Sequence, residues 1–168
     1  MPIDPQQLIN LARELVNKPV AVRTEGDLRR AVSTAYYAVF HLLINDAMAL
    51  FVTDPVFRTR VGRAFQHGIM KSVCSQYSPQ RANNAGQFLT PSGQILAPDL
   101  RRVAAAFVAL NEAREEADYD SGVTLQHIEA ESNVQRGESA FQDWLTAQTD
   151  PSALEFLQDL FCKCIIRR

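Results

Sequence analysis

Apolar residues recur at helical spacing along almost the whole chain, and no segment alternates with the period of two that a half-buried strand requires. The second predicted helix, from about residue 24 to residue 53, has the wide apolar face expected of the central helix in a bundle. Asp-Pro pairs at residues 4–5, 54–55 and 150–151 each place a capping side chain before a proline at the first helical position. The pattern predicts an all-α, up-and-down bundle of five to six helices, forming one domain over residues 1–168.

The predicted helices cover residues 5–17, 24–53, 55–77, 98–119, 124–148 and 151–168. Residues 78–97 hold prolines and glycines with little periodicity, and a loop of this length is typically functional or mobile. The last helix, 151–168, is apolar on more than one face. One interpretation is that these apolar faces pack on the rest of the bundle, and the alternative is that one of them forms a dimer surface.

One charged residue falls on the apolar stripe of the predicted fourth helix. The stripe consists of Leu100, Val103, Phe107 and Leu110. Arg114 is the next residue in the same three–four spacing. A buried guanidinium cannot readily lose its charge, so it needs an acidic partner or a ligand phosphate. Asp118, one turn further on, is a candidate partner, and an arginine that extends into solvent at the helix end is the other plain explanation.

Two further helices carry polar residues at helical spacing. The polar face of the second predicted helix includes Arg30, Tyr37 and His41, which could bind an anion or a base. The third predicted helix carries a basic stripe suited to phosphate or an RNA backbone, formed by Arg60, Arg63, His67 and Lys71. Without a ligand, the polar face of the second helix would be explained by contact with a neighbouring helix. The basic stripe of the third helix would then be an ordinary solvated face.

Composition and charge add limits to this interpretation. Hydrophobic residues make up 46% of the 168-residue chain, which excludes wholesale disorder. The net charge of −2 conceals a division: residues 56–102 carry seven basic residues against one acid, and residues 112–143 carry nine acids against two arginines. That division predicts a bipolar surface compatible with nucleic acid on one side. Three cysteines and the lack of a signal-peptide pattern predict a cytoplasmic protein, and no stretch predicts a membrane span.

Several familiar chemistries find no support in the sequence. There is no glycine-rich phosphate loop and no serine nucleophile elbow. Cys162 and Cys164 lack a second pair of close ligands, so we expect no metal site and no cofactor.

Three segments together resemble the HEPN family, the higher eukaryotes and prokaryotes nucleotide-binding domain. Residues 28–41, LRRAVSTAYYAVFH, resemble the opening helix motif of a branch of small bacterial members. His67-Gly68 resembles the H-x-G-like element of that branch, and residues 114–119, REEADY, resemble its late RxxADY signature. The segments occur in the family's order and cover about residues 28–144.

The resemblance implies an all-α bundle that often forms homodimers. It also implies a place in toxin–antitoxin or phage-defence modules beside a minimal nucleotidyltransferase. Many family members are metal-independent ribonucleases whose motif is an arginine followed four to six residues later by a histidine. Arg114 matches that arginine, but Tyr119, Asp120 and Ser121 occupy the window and none is a histidine.

We therefore expect a protein that binds a nucleotide or RNA rather than a complete nuclease. The expected binding residues are Arg30, Tyr37, Arg60, Arg63, Arg114, Asp118 and Tyr119. One competing hypothesis is a ribonuclease toxin in which Arg114 stabilises the phosphate and His67 or His41 replaces the missing histidine. A second is a non-catalytic helical adaptor, and a third is a protein whose tyrosine, such as Tyr119, is modified by its partner.

Overall fold

The computed structural model describes residues 3–120, 122 and 124–165, and this part of the chain is helical without strands. It contains seven helices: α1 (Pro5–Val16), α2 (Glu25–Phe51), α3 (Pro55–Gly62), α4 (His67–Gln76), α5 (Pro98–Tyr119), α6 (His127–Ala147) and α7 (Pro151–Ile165). The predicted all-α class is confirmed, and within the described residues there is one helix more than the five to six expected. Ser121 and residues 166–168 of the predicted last helix lie outside the described residues.

The helices begin where the sequence places their caps. The carboxylates of Asp4 and Asp54 accept hydrogen bonds from backbone N–H groups two residues on, at 2.9 and 2.8 Å. Thr24 and Asp27 form a reciprocal capping box at the start of α2. These side chains satisfy N–H groups that the first turn of a helix otherwise leaves without partners.

Helix α2 is the centre of the bundle, as its apolar face predicted. It packs against α1, α5, α6 and α7, and Tyr36 and Leu43 on it are fully buried. Gly137 lets α6 approach closely, because a Cβ there would lie 2.9 Å from Cδ1 of Ile9 and 3.5 Å from Cβ of Ala35.

The predicted helix over residues 55–77 is wrong in one respect, because it is two helices. Helix α3 ends at Gly62, and Gln66 adopts an extended backbone with φ −109° and ψ 134° before α4 begins at His67. The turn between the two helices buries Phe65. The apolar periodicity of the sequence therefore continues across a break in the helix. The break places His67 in the first turn of a new helix, and that position shapes the candidate site.

The segment 78–97 has a defined backbone that folds back on α7. An isolated antiparallel bridge joins Leu89 to Ile95, and Gly93 makes the intervening turn with a φ of 90° that favours glycine. Helix α7 packs on α2 and α4, which agrees with the bundle-packing interpretation of its apolar face. Among the described helices, none combines the length and the apolar character needed to cross a bilayer.

Candidate anion-binding site

Arg114 occupies the buried position that the apolar stripe of α5 predicted. The residue is 6% exposed, and its Nε is enclosed without a hydrogen-bond partner in the described part of the chain. One ion pair is present, from Nη2 to Oε1 of Glu115 at 3.6 Å, and the Glu115 side chain is itself 53% exposed. The guanidinium is therefore only weakly neutralised within the described structure.

Two tyrosine rings flank this guanidinium. Its Cζ lies 5.1 Å from the ring centroid of Tyr36, which is fully buried, and 6.0 Å from that of Tyr119, which is 78% exposed. The negative faces of aromatic rings attract a cation, so the rings partly offset the cost of burying the charge. The rings accept no ordinary hydrogen bond, so Nε of the guanidinium stays without an acceptor among the described residues.

Tyr36 connects Arg114 to His67. The Tyr36 hydroxyl and Nδ1 of His67 share a hydrogen bond of 2.7 Å. The His67 ring packs at 4.5 Å from the ring of Phe40 and at 5.8 Å, edge-on, from that of Tyr37, measured between centroids. The ring of His41 stacks on that of Tyr37, with 6.5 Å between centroids. Both histidines of the ribonuclease hypothesis therefore contact aromatic rings of α2.

The surroundings of these histidines favour their neutral forms. Burial lowers the pKa of His67 below its ordinary 6.5, the charge of Arg114 lowers it further, and Glu115 opposes the shift. Burial and the neighbouring His67 lower the pKa of His41 in the same way. At neutral pH, Arg114 is the positive charge of the cluster.

The fourth member of the cluster is Asn111, one turn before Arg114 on α5. It is 1% exposed, and neither its Nδ2 nor its Oδ1 makes a hydrogen bond to another described residue. A buried carboxamide without partners costs about 1–3 kcal/mol. We call Asn111, Arg114, Tyr36 and His67 the arginine cluster.

The first turn of α4 adds backbone donors beside the arginine cluster. Its N-cap, Gln66, makes no side-chain hydrogen bond to the helix, so no capping side chain covers these N–H groups. A Cβ at Gly68 would meet nothing within 4 Å, so the approach to the turn is open. An uncapped helix start next to a buried cation is an arrangement that binds anions.

Asp118 does not pair with Arg114. Its carboxylate instead accepts a short hydrogen bond from the hydroxyl of Ser33 on α2. Asp118 and Tyr119 also line an open cleft of about 430 Å³, together with Glu25, Gly26, Arg29 and Ala117. The cleft adjoins the arginine cluster, because the ring of Tyr119 lines the cleft and also lies 6.0 Å from Cζ of Arg114.

Three expected binding residues are not joined to the arginine cluster. Arg30, Arg60 and Arg63 are exposed, and no hydrogen bond, ion pair or ring contact of the described residues connects them to it. Helix α3 nevertheless immediately precedes the turn to His67, so Arg60 and Arg63 flank the site along the chain.

The predicted bipolar surface is partly neutralised by folding. Arg102 pairs with Asp143 at 2.7 Å and Lys71 with Glu112 at 3.2 Å, and each pair joins the basic stretch to the acidic one. The Cζ of Arg101 lies 3.7 Å from the ring centroid of Phe88. The basic surface is therefore smaller than the sequence predicts.

Sequence reasoning did not assign a function to Tyr36 or Asn111. Tyr36 falls on the apolar face of α2 and was expected only to fill the core. Asn111 lies three residues before Arg114, and that spacing was the available signal, because it places a second polar side chain on a buried face.

Comparisons of this chain with protein-family models, with curated proteins and with solved structures found no match. Within the described residues, no three histidine, cysteine or acidic side chains are grouped in a way that could hold a metal ion.

Proposed function

We propose that this protein binds the phosphate of a nucleotide or of RNA at the arginine cluster, as a HEPN-type binding protein. The observation that carries the proposal is the buried guanidinium of Arg114, which has an unpaired Nε and a single ion pair to a half-exposed acid. An uncompensated buried charge costs several kcal/mol. A phosphate supplies the acceptors that the described residues do not, and its own charge compensates that of the guanidinium.

The neighbouring cleft suits the rest of a nucleotide better than its phosphate. Glu25 and Asp118 line it, and carboxylates repel a phosphate but accept hydrogen bonds from ribose hydroxyls and base amino groups. The exposed ring of Tyr119 offers a face on which a base could stack. The phosphate would then lie at Arg114 and the first turn of α4, with the nucleoside toward Tyr119.

The partners in this proposal come from the HEPN resemblance. We infer a homodimer or a complex with a minimal nucleotidyltransferase, in a cytoplasmic toxin–antitoxin or defence module. Equilibrium sedimentation of the pure protein, and copurification after coexpression with the product of an adjacent nucleotidyltransferase gene, would test these two associations separately. A monomer that recovers no such enzyme would contradict this part of the proposal.

A metal-independent ribonuclease is the second candidate function. The observation that favours it is the hydrogen bond of 2.7 Å between Tyr36 and His67, because the same Tyr36 ring lies against Arg114. A neutral histidine and a fixed cation are the groups that cleavage of a phosphodiester without a metal requires.

Binding is tested with a labelled single-stranded RNA and, separately, with a mononucleotide. Arg114→Met replaces the aliphatic stem of the side chain but removes the charged guanidinium, and should weaken binding about 10- to 100-fold. The matched control is Arg13→Met, because Arg13 is an exposed arginine that pairs with Glu138 outside the site. Binding of RNA should also weaken steeply with salt, through release of counterions.

Equal affinity of the Arg114→Met and Arg13→Met proteins would contradict the proposed site. Preference for RNA over the mononucleotide would identify RNA as the ligand, and the reverse preference would identify a nucleotide. Cleavage of the RNA that requires both Arg114 and His67 would establish the second candidate instead.

A further inference from the structure

Helix α3 presents one face to α2 and the opposite face to solvent. On the inner side, Nε of Arg58 donates a hydrogen bond to the backbone carbonyl of Val52 at 2.6 Å. A Cβ at Gly62 would lie 4.0 Å from Cγ2 of Ile44 on α2. None of the described side chains of α3 is fully buried. The helix is therefore held to α2 along its inner side, and its outer face is exposed.

Two apolar side chains and two arginines share that outer face. Val56 is 72% exposed and Phe57 54%, and Arg60 and Arg63 are exposed as well. Arg63, the C-cap, keeps helical dihedral angles of φ −71° and ψ −12°. The two apolar residues lie four and three positions before Arg60, which lies three before Arg63, so the four side chains form one stripe. We call them the α3 stripe.

The arginines of the α3 stripe have no acidic partner in the described part of the chain. No hydrogen bond or ion pair of the described residues involves Arg60 or Arg63. Residues 55–98 contain no aspartate or glutamate. Another cation of this stretch, Lys71, pairs with Glu112 on α5. The stripe therefore carries two uncompensated positive charges beside an exposed aromatic ring, and such a surface fits a polyanion.

The α3 stripe lies close to the arginine cluster along the chain. Arg63 and His67 are four residues apart, so their Cα atoms are separated by at most about 14 Å. Two backbone hydrogen bonds, of 2.9 and 3.4 Å, fold the intervening turn and shorten that span. Successive phosphates of one strand in a duplex advance about 3.4 Å along the axis, and a single strand can extend further. About four nucleotides therefore reach from one surface to the other.

We propose that the α3 stripe binds single-stranded RNA, beside the nucleotide whose phosphate lies at the arginine cluster. The ring of Phe57 stacks on a base, and Arg60 and Arg63 neutralise phosphates of the backbone. A duplex keeps its bases stacked on one another, so an aromatic ring on a helix surface fits an unpaired strand. The inference rests on the proposed function and deepens it, because it makes RNA rather than a mononucleotide the ligand.

An anionic membrane is another surface that a basic helix can meet, and α3 suits it less well. A helix that lies in a lipid surface buries a long apolar face, whereas the α3 stripe offers two apolar side chains. One exposed ring next to two arginines is typical of surfaces that bind single strands without sequence preference. The stripe also adjoins the arginine cluster along the chain, and one RNA strand can engage both surfaces at once.

The affinities for octauridylate and for uridine monophosphate, measured on the same variants, test the stripe. Phe57→Ala should weaken octauridylate binding at least about fivefold, through loss of a stacked base. Arg60→Gln should weaken it about three- to tenfold and reduce the slope of log affinity against log salt by about 0.7, which corresponds to one phosphate of a single strand. Neither change should alter binding of the mononucleotide, which also shows that the variants are folded.

Arg81→Gln is the matched control for charge. Arg81 is an exposed arginine of the same acid-free stretch, and it follows the Tyr77 end of α4. Its substitution removes the same charge as Arg60→Gln and should leave the affinity for both ligands unchanged. Equal weakening by Arg81→Gln and Arg60→Gln would show an effect of net charge and overturn the α3 stripe as a binding surface.

Phe57→Trp reports the contact directly, because the single native tryptophan, Trp144, is 1% exposed. Octauridylate should quench the fluorescence of this variant, and uridine monophosphate should not. Octauridylate binding that survives both Phe57→Ala and Arg60→Gln would refute the stripe, and the proposed function would stand if Arg114→Met still weakened the mononucleotide.

Two further outcomes identify a different ligand site or a different occupant. Octauridylate binding that needs the α3 stripe but not Arg114 would refute the proposed function at the arginine cluster. Binding to phosphatidylserine vesicles that Phe57→Ala abolishes, without any binding of octauridylate, would overturn the proposal and identify a membrane as the occupant of the stripe.

Discussion

Helix α4 has a fully buried tyrosine at each end, and the two tyrosines have opposite surroundings. Tyr36 meets its first residue, His67, and Tyr77 is its C-cap. The Tyr77 hydroxyl donates to Glu155 at 3.2 Å and to Asp159 at 3.1 Å. At the Tyr36 end, Asn111 and Nε of Arg114 have no hydrogen-bond partners among the residues that the structure describes.

Around Glu155 the hydrogen bonds close into a complete network. Besides the bond from Tyr77, the carboxylate accepts from Thr90 Oγ1 at 2.8 Å, from Ser92 Oγ at 2.7 Å and from the Ser92 backbone at 3.1 Å. The network ties segment 78–97 to α7. Polar groups that satisfy one another hold a fold together, whereas buried polar groups without partners are frequent at functional sites. This difference is our reason for proposing the binding site at the Tyr36 end of α4.

The largest expected loss of stability follows from a substitution of Glu155, the shared acceptor of the network at the Tyr77 end. Glu155→Ala removes the acceptor that Tyr77 and Thr90 share, although Asp159 still accepts from Tyr77. We expect the free energy of unfolding to fall by about 2 kcal/mol. Urea titration measures it. Glu115→Ala is the matched control, because this half-exposed acid on α5 should change stability by less than about 0.5 kcal/mol. Equal losses in the two variants would remove the contrast between the ends of α4.

At the Tyr36 end of α4, a substitution in the arginine cluster should not lower the free energy of unfolding. Arg114→Met replaces an incompletely paired buried cation with a shorter apolar side chain, and stability should be unchanged or rise by about 1 kcal/mol. The same protein should lose phosphate binding. A loss of more than about 2 kcal/mol on urea unfolding would mean that Arg114 is a structural residue, because breaking a well-made buried pair is costly.

The two ends should also lose stability in different pH ranges. Although burial opposes it, hydrogen bonds from Ser92, Thr90 and Tyr77 hold the pKa of Glu155 below its ordinary 4.5. The pKa of His67 is lowered from 6.5. In both cases the unfolded chain binds more protons, so stability is complete above the ordinary pKa and falls as the pH drops through the folded one.

Acid titration of unfolding should therefore show a loss that begins near pH 6.5 from His67 and His41, and a separate loss below pH 4.5 from Glu155. His67→Gln should reduce the loss in the first range to the contribution of His41 and leave the second range unchanged. Glu155→Gln should do the reverse. A single acid transition that neither variant alters would contradict the assignment.

The helical periodicity of the sequence predicted the bundle and the burial of Arg114, because both depend on local spacing. It did not predict the break between α3 and α4, since Phe65 keeps the apolar spacing across an extended residue. Asn111, Tyr36 and His67 come from three helices. Their contact depends on how α2, α4 and α5 pack, which spacing within one helix does not reveal. The pairing of Asp118 with Ser33 rather than Arg114 has the same origin.

The smallest expected effect concerns the two ends of α4 themselves. Gly68→Ala adds a methyl group where nothing lies within 4 Å, so stability should be unchanged or rise by about 0.5 kcal/mol through a less flexible unfolded chain. If the first-turn amides of α4 bind phosphate, the methyl group narrows their approach, and affinity should fall about two- to fivefold. Ser75→Ala, near the Tyr77 end, loses one exposed hydrogen bond to Lys71 and should leave affinity unchanged. Equal affinities in the two variants would exclude the helix start from the binding site and leave the phosphate to Arg114 and His67.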